Sequence, residues 1–158
     1  MLDDAMVYWY ARPSAAYPTV EIRVGDVCPT VDDTVLVAAL LRALVATVLD
    51  DARAGVPAAP IRDCLVSAAH WRAAHEGLEG DLIDLRGGGA RPAWELVDEL
   101  FATVSPALVR HGDLGYVLDQ LTRLRAEGTG ATRQRRILDE TCDLRAVLAQ
   151  LAAWTVAG

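Results

Sequence analysis

The chain has 158 residues, 53% of them hydrophobic and 23% charged, which favours one soluble folded domain over a disordered segment. Its formal net charge of −7 and its pI of about 4.8 argue against a general nucleic-acid-binding role, because the phosphate backbone repels an acidic surface. The most apolar stretch, residues 35–49, contains an arginine and is shorter than the roughly 20 residues that span a bilayer, so we expect no membrane segment.

The first predicted elements are two antiparallel strands at about residues 5–11 and 18–25. The first is rich in aromatic and β-favouring residues, and the second alternates apolar and polar side chains. The proline-bounded residues 12–18 predict the connection between them. Two strands make a marginal sheet with open edges, so we expect the remaining strands to come from outside this chain or from a second copy.

Helices are predicted from about residue 31 onward. Thr30-Val31-Asp32-Asp33 has the pattern of a helix N-terminus, and Gly55 of a C-terminal stop. Ser105-Pro106 is expected to kink or restart a later helix. The sequence thus predicts an α+β fold in a single domain, residues 1–158, with an antiparallel hairpin followed by a mainly helical body. The later predicted elements are a helix at 61–76, a short strand at 81–85, a turn or flexible loop at 86–89, and helices from 92, at 114–125, at 131–140 and at 143–156.

The second strand carries the first candidate site residues. Glu21 and Arg23 are two residues apart and should project from one face of the strand. A carboxylate is a hard oxygen ligand suited to Mg²⁺, whereas a guanidinium suits a carboxylate or a phosphate. Asp26 follows near the strand end, where it either adds a second metal ligand or caps the turn. The alternative for this face is an ordinary solvated strand surface.

Further arginines could bind substrate or phosphate. Arg12 lies on the hairpin connection, and Arg133 and Arg135 lie at a predicted helix start after Gly128-Thr129-Gly130. A solvated or salt-bridged helix face is the alternative for Arg133 and Arg135, and Arg136 is expected to pair with Asp139 or Glu140. On the 61–76 helix, Trp71 is expected to pack in the core and Arg72 to form a buried ion pair, and lining of a substrate pocket is the alternative for both.

Several segments together resemble one family of proteins. These are Tyr8-Trp9-Tyr10-Ala11-Arg12-Pro13-Ser14, then residues 18–24 and 26–33, then His70-Trp71-Arg72-Ala73-Ala74, and residues 128–136. In this order they are similar to the C-terminal part of type 2 glutamate–cysteine ligases, which are carboxylate–amine ligases with a glutamine-synthetase-like catalytic sheet.

The resemblance implies a reaction and roles for some residues. In that family, ATP activates a glutamate-type carboxylate as an acyl phosphate, and an amine displaces the phosphate to give an amide. By this resemblance Glu21 would bind Mg²⁺ and Arg23 would be the catalytic residue that contacts the substrate carboxylate or the transferring phosphate. The family's N-terminal part has no counterpart in the chain, so we expect activity to require that missing half or a second protein chain, in a homo- or hetero-oligomer.

Two other functions remain open from the sequence. One is a non-catalytic oligomerisation or partner-binding module that uses the open strand edge. The other is a small-molecule or phosphate sensor built on the arginine cluster of residues 133–136. The odd number of widely spaced cysteines, 3 in all, and the lack of a basic leader before an apolar core predict a cytoplasmic protein with reduced thiols.

Overall fold

The computed structural model describes residues 10–156 and shows an antiparallel hairpin followed by a mostly helical body. This confirms the α+β fold class predicted from the sequence. A second short hairpin, which the sequence analysis did not predict in full, is inserted between two helices. The elements in chain order are β1 (Ala11–Pro13), β2 (Val20–Ile22), α1 (Val31–Arg53), α2 (Asp63–Glu76), β3 (Asp81–Ile83), β4 (Ala90–Pro92), α3 (Ala93–His111), α4 (Leu114–Glu127), α5 (Gly130–Thr141) and α6 (Leu144–Val156).

Within the described residues, the first hairpin pairs Ala11–Pro13 with Val20–Ile22, so its second strand is shorter than predicted. Residues 5–9 of the predicted first strand lie outside the described residues. The strand pairing instead includes Arg12 and Pro13, which the sequence assigned to the connection. The Ser14 amide donates to the Thr19 carbonyl at 2.8 Å. The connection between the strands is therefore shorter than predicted and consists of the residues between Ser14 and Thr19. Pro13 fits this position because it ends the strand, where its missing N–H breaks no central ladder bond.

The second hairpin turns through the glycine-rich segment 86–89. The Asp84 carboxylate accepts the backbone N–H groups of Arg86 and Gly87, each at 2.9 Å, and a guanidinium N–H of Arg91 at 3.0 Å. The hydrogen bond from Gly87, followed by those from Arg91 and Arg86, lowers the pKa of Asp84 to about 2. The glycine run is therefore a turn held by an ionised carboxylate rather than a flexible loop.

The helix ends follow the signals in the sequence. Thr30 accepts the Asp33 N–H at 3.2 Å and caps α1. Gly112 ends α3 in the left-handed conformation with φ 76°. Pro106 does not restart the helix, since α3 continues through it to His111. The Ser105 hydroxyl donates to the Phe101 carbonyl at 2.6 Å, one helical turn before it.

The hydrophobic core lies between α1, α3 and α4. Its largest fully buried side chains are Leu108, Val104 and Val117. Small residues of α1, Ala39 and Ala43, let this helix approach the other two closely. The hairpin β1–β2 and helix α2 contribute no buried hydrophobic residue to this core.

No helix within residues 10–156 has both the length and the apolar character that crossing a membrane requires.

Replacing Leu108, which is 0% exposed, by alanine should lower the free energy of unfolding by about 2–5 kcal/mol, because the change removes buried methyl groups and leaves a cavity. Leu118→Ala is the matched control, since Leu118 is 51% exposed and should lose less than about 1 kcal/mol. Urea unfolding measures both. Equal losses in the two variants would show that the α1–α3–α4 core is misassigned.

Candidate functional site

The candidate site is built on the register of the first hairpin. Arg12 lies directly opposite Glu21 in the antiparallel pair. The pairing continues one step further, since the Arg23 amide donates to the Tyr10 carbonyl at 2.9 Å. Because side chains alternate along a strand, Glu21 and Arg23 share one face, and the cross-strand neighbour Arg12 lies beside them.

The three side chains form an ion cluster, which we call the strand cluster (Arg12, Glu21 and Arg23). Arg12 Nε donates to Glu21 Oε2 at 2.8 Å, and Arg23 Nε donates to Glu21 Oε1 at 2.5 Å. The hydrogen bond from Arg12, followed by the one from Arg23, lowers the pKa of the Glu21 carboxyl. The ionised carboxylate therefore fixes the direction of both guanidinium groups on the same face.

An open cleft adjoins the strand cluster. It has a volume of about 700 Å³, and its walls are Arg23 and Asp26 at the end of β2 and His70 and Ala73 on α2. The His70 ring packs against the Tyr10 ring, with centroids 4.7 Å apart, and so connects α2 to the start of the hairpin. This size is within the usual range for small-molecule sites.

Helix α2 is an unusually exposed wall for this cleft. It has no buried residue, and Trp71 is 65% exposed with its ring stacked on His75 at 5.4 Å. The expectation that Trp71 packs in the core is therefore wrong. An apolar periodicity cannot show whether the surface that would cover a helix belongs to the same chain.

The described residues do not make a metal site by themselves. Both Glu21 oxygens accept hydrogen bonds from arginines. Within residues 10–156 no group of three or more His, Cys, Asp or Glu side chains could hold a metal ion. Asp26 lines the cleft, and its role as a turn cap stays a prediction. Metal binding by Glu21 and Asp26 stays a prediction, and a metal would need further ligands from elsewhere.

A second ion cluster, the Asp33 cluster (Asp33, Arg123 and Arg133), lies in the interior. Asp33 is 7% exposed, and its carboxylate accepts from Arg123 Nη2 at 2.6 Å and from Arg133 Nη2 at 2.5 Å. Burial disfavours the charged form, but the hydrogen bonds from Arg123, Thr30 and Arg133 outweigh it and lower the pKa of Asp33. The Arg133 guanidinium also lies 5.1 Å from the Trp154 ring centroid.

Two of the three arginines in the 128–136 segment have carboxylate partners, whereas Arg136 donates to the Glu127 backbone carbonyl at 3.0 Å and not to Asp139 or Glu140, the pairing expected from the sequence. Arg133 pairs with the buried Asp33, and Arg135 forms an ion pair with Glu79. This is the salt-bridged alternative considered from the sequence. Phosphate binding by Arg133 and Arg135 stays a prediction, and neither residue lines the cleft beside the strand cluster.

Sequence reasoning missed two residues that the fold places at the site. Tyr10 and His70 are 60 positions apart in the numbering, and only the tertiary arrangement brings their rings together. The segment His70-Trp71-Arg72 was recognised, but no signal in the sequence gave its distance from β2. Asp33 was recognised as a capping residue, whereas its contact with Arg133, 100 positions away, was not predictable.

Comparisons with known proteins agree on one family. A family model described as "Glutamate-cysteine ligase family 2" matches residues 1–150. A Salinispora tropica protein named "Putative glutamate--cysteine ligase 2" is 77% identical over 156 residues, which cover 98% of this chain and 41% of that protein. A Nocardia farcinica protein, whose printed name differs only in the suffix 2-1, is 48% identical and also covered over 41% of its length. The chain thus spans about two fifths of these relatives, which is consistent with the C-terminal part that its motifs resemble.

Removing the carboxylate of Asp33 should be costly. In Asp33→Ala two mostly buried guanidiniums lose their shared partner, and we expect a loss of about 3–5 kcal/mol in the free energy of unfolding. The matched control is Asp98→Ala, since the Asp98 side chain is 62% exposed in its pair with Arg125. This variant should lose less than about 1 kcal/mol in the free energy of unfolding.

The effect of Asp33→Ala should also depend on pH. The lowered pKa of Asp33 means that its contribution is full above its ordinary value of 3.8 and is lost as the pH falls below it. Urea unfolding of the variant and the parent chain from pH 7 to pH 3 should therefore show the difference shrinking in acid. A difference that stays constant over this range would contradict an ionised, hydrogen-bonded Asp33.

Proposed function

The chain belongs to glutamate–cysteine ligase family 2, and on that premise we propose that it is the C-terminal part of an ATP-dependent carboxylate–amine ligase. In the proposed reaction the γ-phosphoryl group of ATP passes to the carboxylate of a glutamate-type substrate. This yields ADP and an acyl phosphate, from which an amine displaces phosphate to form the amide. Since the chain covers 41% of its relatives' length, the remaining groups of the active site would lie on residues outside it.

The arrangement of the strand cluster is the observation that carries this proposal. Glu21 accepts hydrogen bonds from Arg12 at 2.8 Å and from Arg23 at 2.5 Å, and of the three side chains Arg23 also lines the 700 Å³ cleft. Guanidinium groups held in this way suit the carboxylate of the first substrate and the charge that develops on phosphoryl oxygens. Because their direction is fixed before substrate binds, little reorganisation is needed in the transition state.

The ligands of a catalytic metal would come mainly from parts of the enzyme outside this chain. Mg²⁺ is the ion that the family implies for ATP-dependent transfer, yet Glu21 is committed to two arginines and no described set of ligands completes a site. In the proposed enzyme Glu21 therefore acts first as the residue that orients Arg12 and Arg23. Any contact that Glu21 or Asp26 makes to a metal would depend on acidic side chains from the rest of the enzyme.

The exposed elements support completion by another polypeptide segment. Strands β1 and β2 have three residues each and, within residues 10–156, pair with one another and with no further strand, and α2 buries none of its residues. Such a hairpin is marginal on its own, and its edges can accept further strands. We propose that the missing N-terminal part, in the same or in a second chain, extends this sheet in a cytoplasmic homo- or hetero-oligomer.

The same exposed surface favours one alternative function. A non-catalytic module would use the open hairpin and α2 for oligomerisation or partner binding, with the strand cluster serving only to hold the two strands together. This module would form a stable complex that is indifferent to ATP, whereas the ligase would consume ATP in the presence of its carboxylate substrate.

Reconstitution tests the ligase proposal. The chain is combined with the remaining part of the Salinispora tropica relative, and glutamate-dependent release of ADP is measured with cysteine and other amines. Arg23→Gln should lower kcat/KM by about a hundredfold or more, because it removes a charge that contacts the transition state. Arg110→Gln is the control, since Arg110 pairs with Asp50 on the helical body and should leave the activity unchanged.

The outcomes separate the candidate functions. A well-assembled complex that releases no ADP with any amine would favour the non-catalytic module over the ligase. Full activity in Arg23→Gln would leave a ligase possible but would remove the strand cluster from its active site.

A further inference from the structure

Helix α2 has an outer face that is separate from the wall it gives to the cleft. Three of its residues line the cleft beside the strand cluster, namely His70, Ala73 and Ala74. A second set recurs at helical spacing on the adjacent face, and all four of its members are exposed: Cys64, Ala68, Trp71 and His75. We call this set the α2 face. It contains no carboxylate and no arginine, so it is a neutral surface on a chain with 23% charged residues.

Trp71 dominates the α2 face. Its side chain is 65% exposed, although tryptophan is highly buried on average in folded proteins. The residues one turn before and after it on this side of the helix are small, Ala68 and Ala74. The ring stacks on His75, with centroids 5.4 Å apart and planes 16° apart. A large apolar ring is thus presented to the outside in one orientation, which lowers the entropy cost of a later contact.

The contacts that hold α2 lie on a different side of the helix. Helix α2 packs against β3, where Arg72 Nε donates to the Asp81 carbonyl at 3.0 Å. Arg72 also lies 3.6 Å from the Glu76 carboxylate, but this ion pair is half-buried and not buried as expected from the sequence. Since α2 has no buried residue, the fold of the chain alone does not require Trp71.

The length of the relatives indicates what covers this face. The chain spans 41% of the Salinispora tropica protein, so about three fifths of that protein lies outside it. Helix α2 forms one wall of the cleft, and the end of β2 forms the other. A segment that extends the hairpin and closes the cleft would therefore also reach α2. Because the α2 face is neutral, an apolar surface of that segment suits it, and no opposite charge is needed.

We propose that Trp71 is the central contact residue between this chain and the remaining part of the ligase, and that its ring inserts into an apolar pocket of that part. A few buried aromatic residues usually supply most of the binding energy of an interface. This inference rests on the proposed completion of the enzyme by another polypeptide segment, but not on the ligase chemistry. Since α2 also carries His70, the contact at Trp71 would fix the wall of the cleft.

The dissociation rate of the assembled complex tests this contact. The chain is produced together with the remaining part of the Salinispora tropica relative, and dissociation of the purified complex is measured. Trp71→Ala should raise the dissociation rate at least about thirtyfold, the usual effect of losing a central aromatic residue. Trp71→Phe keeps an aromatic ring and should give a rate between the two. Val109→Ala is the control, since Val109 is 61% exposed on α3 and should leave the rate unchanged.

Thermal melting of the isolated chain separates an interface role from internal packing. Because the Trp71 ring is exposed in the chain alone, Trp71→Ala should leave the melting temperature unchanged while it weakens the complex. A clear fall in the melting temperature of the isolated variant would assign the ring to internal packing and overturn the proposal.

The remaining outcomes are decisive in the same way. No complex with the parent chain, an equal dissociation rate in Trp71→Ala, or an equal increase in Val109→Ala would overturn the proposal. Self-association of the parent chain that is lost in Trp71→Ala would identify a second copy as the occupant and would overturn it as well. A complex that dissociates faster in Trp71→Ala but releases no ADP would support this interface and contradict the ligase function. ADP release with an unchanged dissociation rate in Trp71→Ala would do the reverse.

Discussion

The arrangement of this chain depends on one buried charge. The Asp33 carboxylate, in the first turn of α1, is held by Arg123 of α4 and Arg133 of α5 at 2.6 and 2.5 Å. An ionised carboxylate cannot be buried without such partners, so the start of α1 must stay against these two helices. Because α1 begins shortly after β2, this contact also sets where the site-bearing hairpin leaves the helical body.

The hairpin itself has the opposite character, since its charges are at the surface and its packing is slight. Glu21 draws Arg12 and Arg23 together across two strands that, in the part of the chain that the structure describes, pair with each other alone. This arrangement orients the guanidiniums but does not bury them. A surface of this kind is suited to binding anions once another segment closes the cleft, and the greater length of the relatives gives that segment a source.

Local signals in the sequence predicted the local features of the fold. The strand period placed Glu21 and Arg23 on one face, and Gly55, Gly77 and Gly128 marked three helix ends, because glycine tolerates the positive φ values that follow a helix. The resemblance of the motifs predicted the family. Pairings set by tertiary structure were not predictable from one sequence.

The failures share that physical cause. Three features were not predicted: the strand register that includes Arg12, the pairing of β3 with β4, and the contact between Asp33 and Arg133. Each joins residues whose separation in the sequence carries no periodic signal. The prediction that Trp71 is buried was wrong for a related reason. An exposed aromatic residue and a buried one can occupy the same position in a helical sequence pattern, and only the covering surface distinguishes them. The arginines of the 128–136 segment were recognised as a group, but only the fold gives Arg133 the buried Asp33 and Arg135 the exposed Glu79 as partner.

The most direct test of whether the hairpin is one portion of a shared sheet is hydrogen exchange of the backbone amides of β2. The exchange is measured in the chain alone and again after assembly with the remaining part of a full-length relative. A sheet completed from outside predicts markedly slower exchange on assembly at Val20–Ile22, with little change in the core of α3. Exchange at Val20–Ile22 that is equally fast before and after assembly would contradict it.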